Sequence, residues 1–329
     1  MKFVTFEIKT VVGALRRMGV LNNHELVDLN AAYSCYLWEV HGIWRWKELA
    51  LAEVPVDMLQ FIENGPKALE AAEIGMQYVK ERPSEEKGPG GERIIHQLDE
   101  VKIKAPLPSP ISIRDCLTFE QHAKSGWARR GMELPSLWYE IPVHYRTTHT
   151  NVSGPDDPIL WPSYTEKLDY ELELAVCIAK YGKNIPVNKA AEYIAGYTIF
   201  NDISARDIKA KEMQLLLGPA KGKSFQNSNI MGPCLVTPDE IYANNLKMVA
   251  RVNGEIWSEG NSKDMHFKFE DLISYLSLDE PIYPGEFICS GTVGSGCGLE
   301  LGKWLKNGDI VELEIEGIGV LRNKVERKQ

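Results

Sequence analysis

The sequence has few cysteines, no excess of basic charge and no long apolar run, and each absence removes a class of protein. Among 329 residues there are 6 cysteines, at positions 35, 116, 177, 234, 289 and 297. None forms a C-x-x-C pair, and their spacing fits no zinc ribbon or finger. A chain of this length that is 44% hydrophobic can bury a large core without disulfide staples, so reduced thiols are expected. The formal net charge of −9 argues against a phosphate backbone as the main partner. No window approaches the roughly 20 apolar residues that span a bilayer, and MKFVTFEIKTVVGALRR has no apolar stretch of signal-peptide length. A cytoplasmic protein with no membrane partner is expected. The glycine-rich run Ser290–Gly298 lacks the Gly-Lys-Ser/Thr of a phosphate-binding loop, although its backbone N–H groups can approach an anion.

What is present divides the chain in two. Phe3, Thr5 and Glu7 alternate with Val4, Phe6 and Ile8, a strand pattern. From Pro55 to Val79, Met58, Leu59 and Ile62 and then Ala68, Leu69, Ala72 and Met76 recur at helical spacing, with Gly65-Pro66 as a break. Residues 81–93 are charged, rich in Pro and Gly and without periodicity, which reads as a linker or exposed loop. IHQLDEVKIKAPLPSP then reads as one strand closed by a Pro-rich turn. These features predict a small N-terminal α+β domain over 1–105 and a main domain over 106–329. Beyond Ile113 the pattern is short strands, at 172–181, 196–200, 230–236, 246–257, 286–292 and 309–320, with a short helix around 189–194. The fold class expected is β-rich α+β.

The chemistry concentrates in Asp169-Tyr-Glu-Leu-Glu-Leu-Ala-Val176. Strand alternation aims Glu171 and Glu173 one way and Leu172 and Leu174 the other. Alone, E-x-E is commonly a solvated strand face. Buried together, two carboxylates repel each other, and a hard dication removes that cost. Asp202, at the tip of the apolar run 197–202, and Asp115 are further carboxylates of this kind; each alone also fits a turn former or a surface ion pair. His122 fits a general base if a carboxylate orients it, and Glu300 follows the glycine-rich run. Lys223 and the pair Arg129-Arg130 are cationic candidates for an oxyanion.

Seven ordered motifs together resemble the fumarylacetoacetate hydrolase family over about residues 110–320. They are RDCLTFEQHA (114–123), EIPVHYRTTHTNVSG (140–154), DYELELAV (169–176), GYTIFNDISARD (196–207), KGKSFQNSNIMGP (221–233), CSGTVGSG (289–296) and GLEL (298–301). The resemblance implies a β-roll catalytic domain beside a smaller N-terminal domain, paired into a homodimer. It implies metal ligands at Asp115, Glu171, Glu173 and Asp202. It implies a catalytic set of His122, Glu300 and Lys223, and substrate contacts from Arg130, Tyr145, Lys223 and Thr292. The cofactor implied is Mg²⁺ or Ca²⁺, with Mn²⁺ as a further option. Where the named hydrolase carries a substrate-binding glutamine, this chain has Lys209.

The activity this implies is hydrolysis of a carbon–carbon bond in a small anionic 1,3-diketo or acylpyruvate-type acid, as in aromatic catabolism. It uses His-activated water and a metal-stabilised enolate, with no acyl-enzyme on Ser224 or Cys116. The alternative within the family is decarboxylation or isomerisation of a 2-oxo diacid, which needs the same metal but no activated water.

Overall fold

The computed structural model describes residues 1–22, 24–82, 87–150 and 152–327. The N-terminal alternation becomes β1 (Lys2–Thr10), which runs antiparallel to β2 (Gly13–Asn22) and leads to β3 (Glu25–Asp28). Helix α1 (Leu29–Cys35) starts where the Asp28 side chain accepts the N–H of Ala31. It is followed by α2 (Trp46–Glu53), α3 (Met58–Asn64) and α4 (Pro66–Glu81). The break between α3 and α4 falls at Gly65, whose φ of 64° is open to glycine, and Pro66 opens α4, where its missing N–H costs nothing. Of the linker expected at 81–93, residues 83–86 lie outside the described residues. The single strand expected after it is two, β4 (Ile95–Gln97) and β5 (Lys102–Ile103), because Gln97 and Glu100 cap a 3₁₀ turn between them.

The rest of the chain builds β6 (Ile113–Cys116), α5 (Glu120–Ala128), β7 (His144–Thr147), β8 (Val152–Ser153), β9 (Ile159–Leu160) and β10 (Leu168–Asp169). Next come β11 (Leu172–Ile178), α6 (Val187–Ala190), β12 (Ile194–Asp202), β13 (Ser204–Ala205), α7 (Arg206–Glu212) and β14 (Asn229–Val236). The chain closes with β15 (Lys247–Val252), β16 (Glu255–Asn261), α8 (Phe269–Leu276), β17 (Phe287–Cys289), α9 (Gly298–Leu301), β18 (Ile310–Ile315) and β19 (Gly319–Glu326). The runs 246–257 and 309–320, expected as single strands, each cover a hairpin. In the first, Asn253-Gly254 takes positive φ at both positions, the turn that matches strand twist.

A 12-stranded sheet follows the order β4-β3-β2-β1-β14-β12-β11-β17-β6-β7, with β5 on β1 and β8 on β14. A five-stranded sheet follows β16-β15-β18-β19-β9. The N-terminal strands therefore continue the main sheet: Phe3 of β1 registers with Leu235 of β14.

The large sheet separates two cores, and side-chain parity decides which residue enters which. In β11, Leu172, Leu174, Val176 and Ile178 join the core shared with the five-stranded sheet. Ala175 and Cys177 join the core filled by α1 to α4. By the same alternation Glu171 and Glu173 lie on the helix-side face. Asp202 shares that face with Phe200, and Asp115 shares it with Ile113. The register brings these positions to the same end of the neighbouring strands β12, β11, β17 and β6, with Leu172 opposite Asn201 and Cys289 opposite Asp115.

Candidate metal centre

At these strand ends the apolar core gives way to carboxylates. Asp115, Glu173 and Asp202 are buried, and each offers an oxygen within 4.8 Å of the others. Asp115 Oδ1 and Asp202 Oδ1 have no hydrogen-bond partner. Burial and the charge of Asp202 push the Asp115 carboxyl well above its ordinary range, and burial with Asp115 and Asp202 does the same to Glu173. Burying unpaired carboxylates is costly, so the cluster fits a dication that prefers oxygen ligands. The glycine-rich run does meet an anion, but one of the protein's own: the Gly291 N–H donates to Glu173 Oε2 at 3.2 Å and the Thr292 hydroxyl to Oε1 at 3.2 Å. Gly291, with φ of 78°, is where a side chain would collide with the Cys116 carbonyl.

Glu171 lies beside this triad rather than in it. Arg206 Nη1 lies 2.7 Å from Glu171 Oε1, and the fully buried Lys223 ammonium bonds both Glu171 Oε2 and Asp202 Oδ2. Burial opposes ionisation of Glu171, but Arg206, Lys209 and Lys223 outweigh it and hold its pKa well below the usual range. Tyr145 donates its hydroxyl to Asp202. Burial and then Asp202 push the Tyr145 phenol well up, so it stays a donor.

Arg206 and Asp169 stand in the quoted motifs but had no role in the sequence reading. The pairing of β10 with β13 brings them together, with Arg206 Nε 2.7 Å from Asp169 Oδ2. Asp169 also accepts the N–H groups of Gly298 and Leu299 at 2.8 and 2.9 Å, which anchors α9. Glu300 is on α9, and its Oε2 lies 2.9 Å from His122 Nδ1 on α5. Burial works against the charge on Glu300, but the His122 hydrogen bond holds its pKa below the usual range. Cys297 Sγ touches the same Glu300 oxygen at 3.5 Å.

Arg130 is not brought to the site. Helix α5 ends at Ala128, and the exposed Arg130 guanidinium lies 5.7 Å over the Trp127 ring. Lys209 is near it, with its ammonium 4.0 Å from Glu171 Oε1. Burial, together with Lys223 and Arg206, lowers the Lys209 pKa to about 8. Cys116 is buried, and burial with the charges of Asp115 and Glu173 pushes its thiol well up.

A sheet-dominated α+β fold with an acidic cluster at its strand ends and a His–Glu pair between two helices defines a class, and sequence comparison supplies its name. Residues 112–326 match the family profile "Fumarylacetoacetate (FAA) hydrolase C-terminal", and the chain belongs to this family of enzymes. It is 33% identical to oxaloacetate tautomerase FAHD2A, mitochondrial, of Homo sapiens over 277 residues, 83% of this chain and 80% of that one. It is 31% identical to oxaloacetate tautomerase YisK of Bacillus subtilis over 332 residues, 99% of this chain and 100% of that one. In structure it is similar to the fumarylacetoacetate hydrolase of Exiguobacterium antarcticum, with a TM-score of 0.72, 24% identity and coverage of 99% and 100%. The specific carbon–carbon hydrolase expected from the motifs is not what these tautomerase relatives are named for. No helix among the described residues is long and apolar enough to cross a membrane.

Proposed function

We propose that the protein catalyses metal-dependent enol–keto tautomerisation of a small 2-oxo diacid of the oxaloacetate type. The observation that carries this is the His122–Glu300 pair, 2.9 Å apart, anchored through Asp169 and close enough to Glu171 for the His122 charge to lower its pKa. The full-length similarity to a protein named as an oxaloacetate tautomerase supports it.

Asp115, Glu173 and Asp202 would hold Mg²⁺, Ca²⁺ or Mn²⁺, with Glu171 beside them. The bound dication supplies Lewis-acid polarisation of the substrate's 2-oxo group. Glu300 accepts from His122 Nδ1–H and so leaves Nε2 free to exchange protons. The enol oxygen loses a proton and the C3 carbon gains one, with His122 as the group that carries it. Lys223 offsets part of the negative charge of Glu171 and Asp202, which lowers the repulsion an anionic substrate meets at the acid cluster.

The experiment is the decay of the oxaloacetate enol absorbance with chelator-stripped protein, before and after adding each dication. The proposal expects decay that depends on the dication and falls about a hundredfold in His122→Ala, the lower end of what a positioned proton-transfer group contributes. A second reading, hydrolysis of an acylpyruvate, is favoured by the same His–Glu pair because it can activate water. Cleavage of an acylpyruvate with solvent oxygen-18 in the product, and no acceleration of enol decay, would replace the first reading with the second.

A further inference from the structure

We propose that Lys209 reads the distal carboxylate of the substrate and makes the site selective for dianionic over monoanionic 2-oxo acids. This rests on the tautomerase reading and deepens it.

Of the cations gathered around Glu171, Lys209 is the one whose ammonium makes no hydrogen bond among the described residues. Lys223 spends its donors on Glu171, Asp202 and the Asp202 carbonyl, the last at 3.3 Å. Arg206 is taken by Asp169 and Glu171 at 2.7 Å each. The Lys209 ammonium reaches Glu171 only at 4.0 Å and makes no hydrogen bond among the described residues. An ammonium carries three donors, and one left without partners in a half-enclosed place is ready for an anion. Its side chain is 27% exposed, against 0% for Lys223 and 5% for Arg206. It is therefore the one of the three that solvent, and a substrate, can reach.

The local fold fixes it there. Lys209 lies on α7, and a Cβ at Gly222 would meet the Lys209 backbone N at 2.8 Å and Cα at 2.9 Å. Only a glycine lets the 221–223 loop approach that closely. Glu212, at the end of α7, accepts the N–H groups of Ala220, Lys221 and Gly222 at 2.9, 2.7 and 3.1 Å. The loop that carries Lys223 is thus tied to the helix that carries Lys209, and the two ammonium groups keep their spacing. One bonds Glu171 and Asp202, and the other lies 4.0 Å from Glu171 on a side chain that is partly exposed. A 2-oxo acid head over the cluster leaves a second carboxylate to meet the outer ammonium.

The test compares oxaloacetate with its 4-monoethyl ester, which keeps the enolisable 2-oxo acid and removes the distal charge. Wild type, Lys209→Arg and Lys209→Met are assayed with saturating dication, and thermal unfolding confirms that each is folded. The expected result is a fall of about 10- to 100-fold in the diacid-to-ester ratio of kcat/KM for Lys209→Met, carried by KM, with the ratio largely kept in Lys209→Arg. An unchanged ratio in Lys209→Met overturns the proposal. If the wild type accelerates the conversion of neither compound, the tautomerase reading is what fails. The ratio of binding affinities for the same pair, measured by calorimetry, still decides Lys209 by the same criterion.

Discussion

Two neighbouring residues of β6 are treated in opposite ways. Arg114 is buried, and its guanidinium lies 3.1 Å from Glu286 and 2.8 Å from Glu280, a charge with its counter-charges built in. Asp115, the next residue and on the other face of the strand, is equally buried and forms no ion pair among the described residues. The same contrast separates Asp28, paired with Arg17, from Glu173, whose pKa is raised by burial and then by its carboxylate neighbours Asp115 and Asp202. Where the fold needs a buried charge, the chain supplies the opposite one. At the strand ends the triad holds more negative than positive charge, which fits a cation from outside.

The comparison can be broken by mutation on either side. The largest effect expected is on turnover. Asp115→Asn should lower the metal-dependent rate about a thousandfold, the several kcal/mol a Lewis acid supplies at about 1.4 kcal/mol per decade. Metal-free Asp115→Asn should nevertheless be no less stable than wild type, since an unpaired charge has gone, and chemical denaturation checks this. On the paired side, Glu286→Ala should cost about 3–5 kcal/mol of stability, because it leaves the Arg114 guanidinium buried without its buried counter-charge. A neutral Glu286→Ala would remove the contrast.

The effect of pH on the metal-stripped protein sharpens the comparison further and should be smaller. The Asp115 and Glu173 pKa values are raised in the fold, so their contribution is fully present below the ordinary carboxylate range and is lost as pH rises through the raised values. Asp157 is the opposite case. Burial disfavours its charge, but Lys102, Lys104 and the Gly154 N–H lower its pKa overall. Its contribution is present above the ordinary carboxylate pKa and is lost as pH falls through the lowered value. Asp115→Asn should therefore reduce the loss of stability on the alkaline side, and Asp157→Asn the loss on the acid side. Unfolding midpoints across pH, with chelator present, give both signs.

Much of this was legible in the sequence, and the rest had physical reasons to be hidden. Period-two alternation is local, so it placed Glu171 and Glu173 on one face, and Gly65-Pro66 marked the helix break. Alternation cannot say which partner a carboxylate meets. Glu173 joins the triad, whereas Glu171 is claimed by Arg206, whose approach depends on β10 pairing with β13. His122 and Glu300 are 178 residues apart, and only the ordered family motifs linked them. Arg130 was assigned by the same resemblance, yet the end of α5 leaves it on the surface against Trp127. The union of β1 with β14 is a long-range pairing between two runs that each read as ordinary strands.

The most direct test of the central claim is calorimetric titration of Mn²⁺ into stripped wild type and stripped Asp115→Asn, with thermal unfolding alongside. The account predicts saturable binding in wild type that stabilises the fold by about 2.7 kcal/mol at a hundred times the Kd. It predicts that Asp115→Asn, still folded, loses both the binding and the stabilisation. Equal affinity and equal stabilisation in the two proteins would contradict it, and the acidic triad would not be where the cation binds.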